Sequence, residues 1–425
     1  MEWKGKRVLV IGRGVSGQAV ADRLFSLGGE PIWYDDRVAE ASGYPQWTRV
    51  AVAKGASTLD CAVVSPGVGE DHDVVRLLRS RGVPVLSELD FGYTLCSATV
   101  LAVTGTNGKT TVVNLVEKLL SAIGESARAV GNNGIPFSGE RWGSGEYAVV
   151  ETSSFQLVQS RLYRPDYGLI TNINIDHIQR HGSVGEYIRA KSRLLDLCRR
   201  GYARWLDEEM PEREGLECRT YSLLCSADFC VREGVIYFRD ERVLPVREVA
   251  LLGEHNLVNA LSALALASLA VGYRREWKEV LATYRGERMR LECIGEGAPK
   301  IFNDSKATNL HAVRAALASM CGTTVLLMGG HDKGESFAAF FATLEDEVRV
   351  IAFGESAGRI RKEAEEVGKH DLVLVCADVT TAVRVGLVAG CDNLLFSPGC
   401  SSYDAYENYY ERGLDFEKAV ARYQR

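Results

Sequence analysis

Nine consecutive residues, Val103-Thr104-Gly105-Thr106-Asn107-Gly108-Lys109-Thr110-Thr111, have the side chains that hold a nucleoside triphosphate. They follow an apolar, strand-like run from Val100 to Val103 and open a helix-like one from Thr110 to Ile123. Glycines let the backbone wrap a phosphate, and the amides of a helix start point at the anion. In such a loop Lys109 reaches the β- and γ-phosphates, and the Thr110 hydroxyl meets Mg²⁺. The strict P-loop pattern has glycine where Val103 stands, so this is a variant loop.

Other polar groups fall just past apolar runs. Glu151 follows Tyr147–Val150, where a Walker-B-type carboxylate could ligate Mg²⁺; Ser153 or Ser154 there could equally cap a helix. Asn172, Asn174, Asp176 and His177 end a run from Tyr167, and Lys191 stands fourteen residues beyond His177 in a helical pattern, Val184–Leu197. On chemistry alone His177 is structural or functional with equal force, and Lys191 reads as a solvated helix face. Three more loops follow strand-like runs: Asp304-Ser305-Lys306-Ala307-Thr308-Asn309, Gly329-Gly330-His331-Asp332-Lys333-Gly334 and Ser397-Pro398-Gly399-Cys400-Ser401-Ser402. Turn chemistry explains any one of them; together at one sheet edge they predict a ligand crevice.

Three blocks position these groups. Residues 1–97 open with a strand, Arg7–Gly12, then Gly12-Arg13-Gly14-Val15-Ser16-Gly17, a helix to Leu27 and a strand ending at Asp35 and Asp36. That Gly-x-Gly-x-x-Gly spacing with an acid about 20 residues on suggests a dinucleotide site. Ser65-Pro66-Gly67 ends another strand, where open α/β sheets place ligands. Residues 98–287 carry the phosphate loop, a charged, turn-rich stretch from Gly201 to Val246 and an alanine-leucine helix from Leu257 to Val271. Residues 288–425 alternate strands with helices as a second Rossmann-like sheet. The fold class is α/β with three domains.

Composition narrows the function. Fifty basic against 56 acidic residues give a net charge of −6, without the basic excess of a nucleic-acid binder. The charged start at Met1–Lys6 has no signal-peptide pattern, and the apolar stretch Leu261–Val271 is too short to span a bilayer. Eleven cysteines without framework spacing read as reduced thiols, and Cys218, Cys225 and Cys230 lack the tight pairs of a zinc site. The expectation is a soluble cytoplasmic enzyme.

Taken in order, these clusters resemble the Mur ligases of peptidoglycan synthesis, along nearly the whole chain. The segment Gly105–Thr111 resembles that family's ATP loop. Glu151 with Ser153-Ser154-Phe155-Gln156, and above all Asp304–Asn309, are similar to members that add D-glutamate; members that add L-alanine, a diamino acid or a dipeptide carry other sequences there. The resemblance implies a UDP-binding Rossmann-like domain, a P-loop-type central ATPase domain and a Rossmann-like C-terminal domain that brings the amino acid. Gly12–Gly17 would then hold UDP, bordered by Val15, Ser16, Asp35, Asp36, Arg37, Ser65, Pro66 and Gly67. Asn132 and Gln156 would touch the muramoyl-alanine part. Gly105, Thr106, Asn107, Gly108, Lys109, Thr110 and Thr111 would hold ATP, Asn256 and Asn259 would face adenine, and Arg290 and Asp304 would join the nucleotide. Thr110, Glu151, His177 and Lys191 would ligate Mg²⁺, Lys191 as a carbamate, which turns a cation into an anionic oxygen donor suited to a hard metal. Lys306, Thr308, Lys333, Ser402, Tyr403 and Tyr409 would surround D-glutamate. Three departures are visible: Met289 precedes Arg290 where the family commonly has histidine, Gln179 stands where aspartate often follows the Asp-His pair, and Tyr409 replaces an expected phenylalanine.

The implied reaction is ATP-dependent amide formation between UDP-N-acetylmuramoyl-L-alanine and D-glutamate through an acyl phosphate, by a monomer that binds no nucleic acid and enters no membrane. Lys109, His177, Lys191 and Arg290 would carry the catalysis. An NAD-dependent oxidoreductase built on Gly12–Gly17 is the rival from another class, and it leaves the phosphate loop unexplained.

Overall fold

The computed structural model describes residues 2–36, 43–174 and 181–423. Arg37, Asp176, His177 and Gln179 lie outside the described residues.

Three sheets carry the chain. In the first, β1 (Arg7–Ile11), β2 (Glu30–Tyr34), β3 (Cys61–Val64) and β4 (Val85–Ser87) run parallel in the order β2-β1-β3-β4. Their near-continuous apolar sequences suit a sheet covered on both faces, and separate clusters pack there: Leu9, Ile11, Val64 and Leu78 in one, Val8, Val10, Leu24 and Phe91 in the other.

The second sheet has nine strands: β5 (Thr99–Thr104), β6 (Ala127–Gly131), β7 (Tyr147–Glu151), β8 (Tyr167–Ile170), β9 (Gly201–Trp205), β10 (Glu217–Ser222), β11 (Phe229–Arg232), β12 (Val235–Phe238) and β13 (Glu241–Pro245). Their order is β13-β12-β11-β10-β9-β8-β5-β7-β6, parallel from β6 to β11 and antiparallel beyond. The stretch read as turn-rich, Gly201–Val246, is therefore mostly strand. Its hairpins turn at Glu233-Gly234 and Arg239-Asp240, with φ of 50° at Glu233 and 55° at Arg239. Left-handed turns built on Glu and Arg lack the Asn-Gly signature by which a hairpin is recognised in sequence.

The third sheet runs β14-β15-β19-β16-β17-β18, from β14 (Glu292–Gly295), β15 (Lys300–Asn303), β16 (Thr324–Gly329), β17 (Val348–Phe353), β18 (Val373–Val375) and β19 (Asn393–Gly399). Only β14 is antiparallel.

By contacts the chain divides into two compact units, Met1–Val249 with Val258–Ala282, and Ala250–Leu257 with Thr283–Arg425. The first holds the first two sheets. Two buried carboxylates on the helix Glu88–Thr94 bind these together: Glu88 accepts from Ser138 N at 2.9 Å, and Asp90 accepts from the backbone of Arg161, Leu162 and Tyr163. Burial raises the Glu88 pKa. The second unit holds the third sheet with its own cores, around Leu326, Val350 and Leu395 on one face and Leu327, Phe396 and Phe416 on the other.

Candidate functional site

The phosphate loop joins β5 to the helix Lys109–Ser121. Gly108 caps that helix at φ +81°, and a Cβ there would stand 2.2 Å from Asn259 Oδ1, so both conformation and space require glycine. The loop is held from β8 and the segment after it: Thr171 Oγ1 donates to Asn107 O at 2.6 Å, Asn172 Oδ1 accepts from Asn107 N at 3.0 Å, and Thr106 N donates to Asn172 O at 3.0 Å. Lys109 Nζ donates to the carbonyls of Gly105 (3.0 Å) and Thr106 (2.8 Å). Thr111, in the first helical turn, is buried, and its hydroxyl has no hydrogen-bond partner among the described residues.

The register of β5 and β7 sets Glu151 opposite Val103, beside the loop. Thr110 Oγ1 donates to Glu151 Oε2 at 2.8 Å, and Asn132 Nδ2 donates to Oε1 at 3.2 Å. A buried hydroxyl and a buried carboxylate side by side at a helix N-terminus are the oxygen donors a hard divalent cation takes. Glu151 meets the loop, and Ser153 caps the helix Ser154–Gln159 in a capping box with Gln156. Gln156 is 2% exposed, and its Oε1 accepts from Ser153 N and Ser153 Oγ.

Lys191 is not on a solvated face. It is 2% exposed, donates to Gly105 O at 2.6 Å, and sits 4.6 Å from the Tyr187 ring centroid. The Tyr187 hydroxyl in turn pairs with Thr106 Oγ1 at 2.9 Å. His181 stacks on Phe155 at 4.7 Å and pairs through Nε2 with Ser154 Oγ at 2.9 Å. Sequence reasoning singled out neither Tyr187 nor His181. Tyr187 stands four residues before Lys191, hence on the same helix face.

Asn259 lies against the loop, whereas Asn256 Nδ2 donates to Leu252 O at 2.8 Å. The division between the two units passes through their helix, Glu254–Val271.

In the first sheet the expected UDP-bordering residues other than Arg37 lie at the carboxyl ends of β1, β2 and β3. Gly12–Gly17 follows β1, Asp35 and Asp36 follow β2, and Ser65–Gly67 follows β3. A Cβ on Gly17 would stand 1.9 Å from Gly12 O, so the helix Val15–Ser26 approaches the strand only with glycine there. Val15 is exposed and Ser16 half-buried. Asp35 accepts from Arg13 N at 2.8 Å. Asp36 accepts from Tyr34 Oη at 2.6 Å and meets His72 Nε2 at 2.7 Å. The Tyr34 bond, with His72 second, holds the Asp36 carboxyl below its usual range.

The three polar loops of the third sheet follow adjacent strands, β15, β19 and β16, and the structure ties them together. Ser397 Oγ donates to Asp304 Oδ2 at 2.8 Å, Gly399 N to Ala307 O at 2.9 Å, and His331 N to Ser401 O at 2.8 Å. Arg412, fully buried and not foreseen, donates to Ser305 O and Oγ and to the carbonyls of Cys400 and Ser401. Burial lowers its pKa to about 10. Ser305 Oγ also donates to Tyr409 O at 2.7 Å, and Lys306 Nζ lies 5.4 Å from the Tyr409 ring centroid. Ser402 is buried at this edge, Thr308 half-buried, and Lys333 and Tyr403 are exposed. Asp304 is buried, and burial pushes its pKa up to about 6. Arg290 is half-buried, between Met289 and Leu291.

A P-loop-type turn from strand to helix beside a buried hydroxyl–carboxylate pair, on parallel α/β sheets, defines a nucleotide-dependent α/β enzyme. The Mur ligase middle domain matches residues 103–267, and the Mur ligase glutamate ligase domain matches 289–400. The chain belongs to the Mur ligase family. Among curated relatives, the UDP-N-acetylmuramoylalanine–D-glutamate ligase of Caldanaerobacter subterraneus is 32% identical, over 99% of both chains. The enzyme of that name from Lactococcus lactis is 31% identical over 98% of each. The solved structure of a UDP-N-acetylmuramate–alanine ligase from Thermotoga maritima superimposes with a TM-score of 0.64 at 20% identity, covering 99% of both chains. That of a MurF ligase from the same organism, in complex with ADP, gives 0.60 at 16% identity, covering 99% of this chain and 96% of the other. These similarities bear on the fold, and they agree with the α/β, three-sheet architecture.

Proposed function

We propose that this protein joins UDP-N-acetylmuramoyl-L-alanine to D-glutamate, with ATP converted to ADP and phosphate, in peptidoglycan precursor synthesis. The observation that carries the reading is the Gly105–Thr111 loop with its Thr110–Glu151 pair, in a chain that matches D-glutamate ligases from end to end. A carboxylate is a poor electrophile, so the muramoyl-alanine carboxylate first takes the γ-phosphoryl group of ATP to become an acyl phosphate. The amine of D-glutamate then attacks the acyl carbon, and inorganic phosphate leaves. Lys109 and the helix-start amides hold the triphosphate, with Arg290 assigned to the same phosphates and Asp304 to the nucleotide. Asn256 and Asn259 face the adenine.

The donor set fits Mg²⁺: Thr110 and Glu151 would hold one ion, His177 and a carbamylated Lys191 a second. Bound there, Mg²⁺ would neutralise charge on the phosphates. Lys191 reaches the metal role only when its neutral amine adds carbon dioxide and loses a proton. On the first sheet, Val15, Ser16, Asp35, Asp36, Arg37 and Ser65–Gly67 border UDP, while Asn132 and Gln156 take the muramoyl-alanine end. Lys306, Thr308, Lys333, Ser402, Tyr403 and Tyr409 select D-glutamate, Lys333 as a point charge and the hydroxyls as donors to carboxylate oxygens. We read the three sheets as three domains, 1–97, 98–287 and 288–425, in a cytoplasmic monomer. No helix among the described residues is long and apolar enough to cross a membrane.

The test is phosphate release from ATP and Mg²⁺ with UDP-N-acetylmuramoyl-L-alanine and, in turn, D-glutamate, L-glutamate, L-lysine or meso-diaminopimelate. Release with D-glutamate alone is expected. Preference for a diamino acid or for L-glutamate overturns the substrate assignment.

A further inference from the structure

Arg290 sits in an unusual stretch of backbone. Met289 and Leu291, on either side of it, both have left-handed φ, +64° and +45°, and both side chains are buried. A bulky residue in that region is strained, and two flanking one arginine persist only where the surroundings hold them. The restraints are visible. Leu291 N donates to Asp304 Oδ1 at 3.0 Å, Met289 N to Glu292 Oε2 at 2.9 Å, and Lys306 N to Met289 O at 3.0 Å. The other Asp304 oxygen accepts from Ser397 Oγ, so the carboxylate anchors the turn to the end of β19. Asp304 N donates to Phe396 O at 2.8 Å, which fixes the aspartate itself to the same strand. Within the turn, Arg290 Nε is buried without a hydrogen-bond partner among the described residues. An unsatisfied guanidinium N–H has a cost unless a ligand meets it.

We propose that Asp304 is a positioning residue, whose carboxylate holds the 289–291 turn in its left-handed form and so aims Arg290 at the transferring phosphoryl group. The proposal rests on the ATP-dependent ligase reading for the target of Arg290. It goes beyond that reading in the route by which Asp304 acts on kcat, which runs through the turn, while the nucleotide contact assigned to it above bears on ATP affinity.

Two measurements on the full-length chain test it. The first needs no substrate: amide hydrogen exchange of the 287–292 segment in Asp304→Ala, Asp304→Asn and wild type. Asp304→Ala should speed exchange about 10-fold or more, and Asp304→Asn, whose amide oxygen can still accept from Leu291 N, should stay near wild type. Unchanged exchange in Asp304→Ala overturns the proposal. If Asp304→Ala does not fold, Ser397→Ala serves instead; it should speed exchange in the same segment, and no change there overturns the proposal equally. The second is a cycle in kcat. Arg290→Ala should lower kcat on the order of 10²-fold, and adding Asp304→Ala should lower it no more than about 2-fold further. A further loss of about 10-fold or more means an independent role for Asp304 and overturns the proposal. Absence of ligase activity in the wild type would defeat the functional reading, while the exchange result still decides whether Asp304 holds the turn.

Discussion

At the residue scale, chemistry was legible where the backbone dictates it. Gly108 and Lys109 belong to a loop whose shape only certain residues can make, so Gly105–Thr111 could be read directly. Lys191 could not, because a lysine in a helical pattern has no mark of burial; only the fold brings it to Gly105 O. Arg412 left a faint signal. It falls on the stripe 412, 416, 420, where Phe416 and Val420 are core, and an arginine in such a stripe has to be satisfied internally. Two predictions belong here. Lys109→Ala should lower kcat by about 10²-fold or more, because a charged contact to the phosphates in the transition state is lost; near-normal turnover with unchanged ATP affinity would refute the loop assignment. Lys191→Ala should lose most activity, with partial recovery when a small carboxylic acid supplies oxygen donors. An unmodified, fully active Lys191 in carbon-dioxide-free buffer would rule out the carbamate.

At the scale of elements, the apolar parallel strands were legible because burial on both faces leaves near-continuous runs of Val, Leu and Ile, as in β1, β3 and β5. The edge of the central sheet was not. β10 reads Glu-Cys-Arg-Thr-Tyr-Ser, with its first two residues exposed, and alternation that short does not separate from turn sequence. The capping box at Ser153–Gln156 shows why an element matters to a site assignment. Gln156 is expected at the substrate, yet its Oε1 is engaged by Ser153. Glutamate satisfies a capping box as well as glutamine does. Gln156→Glu should therefore leave thermal stability near wild type. If Gln156 also contacts the muramoyl part, the KM for the UDP substrate should rise about 10-fold or more, from an added charge beside an anionic ligand. Unchanged KM would assign the side chain to the cap alone.

At the scale of the whole molecule, the two units have separate cores, and their signals are separable. All six tryptophans, at positions 3, 33, 47, 142, 205 and 277, lie in the first unit, so tryptophan emission reports that unit while far-ultraviolet circular dichroism reports both. The second unit carries a half-buried histidine, His255, and a buried aspartate, Asp304, whose titrations oppose each other. Burial, with Arg290 and His311 nearby, lowers His255 from 6.5 to about 4. The unfolded chain takes up that proton first, so this contribution to stability is present above about pH 6.5 and is lost as pH falls toward 4. Burial raises Asp304 from 3.8 to about 6, so the folded chain is protonated first, and the cost of its buried charge is relieved as pH falls through 6. In the wild type the two contributions act in opposite directions between pH 7 and 5. Single variants expose them. The stability difference between His255→Leu and wild type should shift in favour of the variant by about 1–2 kcal/mol from pH 7 to pH 5. For Asp304→Asn the difference should shift against the variant by a similar amount, because only the wild type gains from protonation. Both shifts should appear in urea titrations followed by circular dichroism and be weak in tryptophan emission. Parallel pH profiles for wild type and both variants would mean that neither group titrates as its burial dictates.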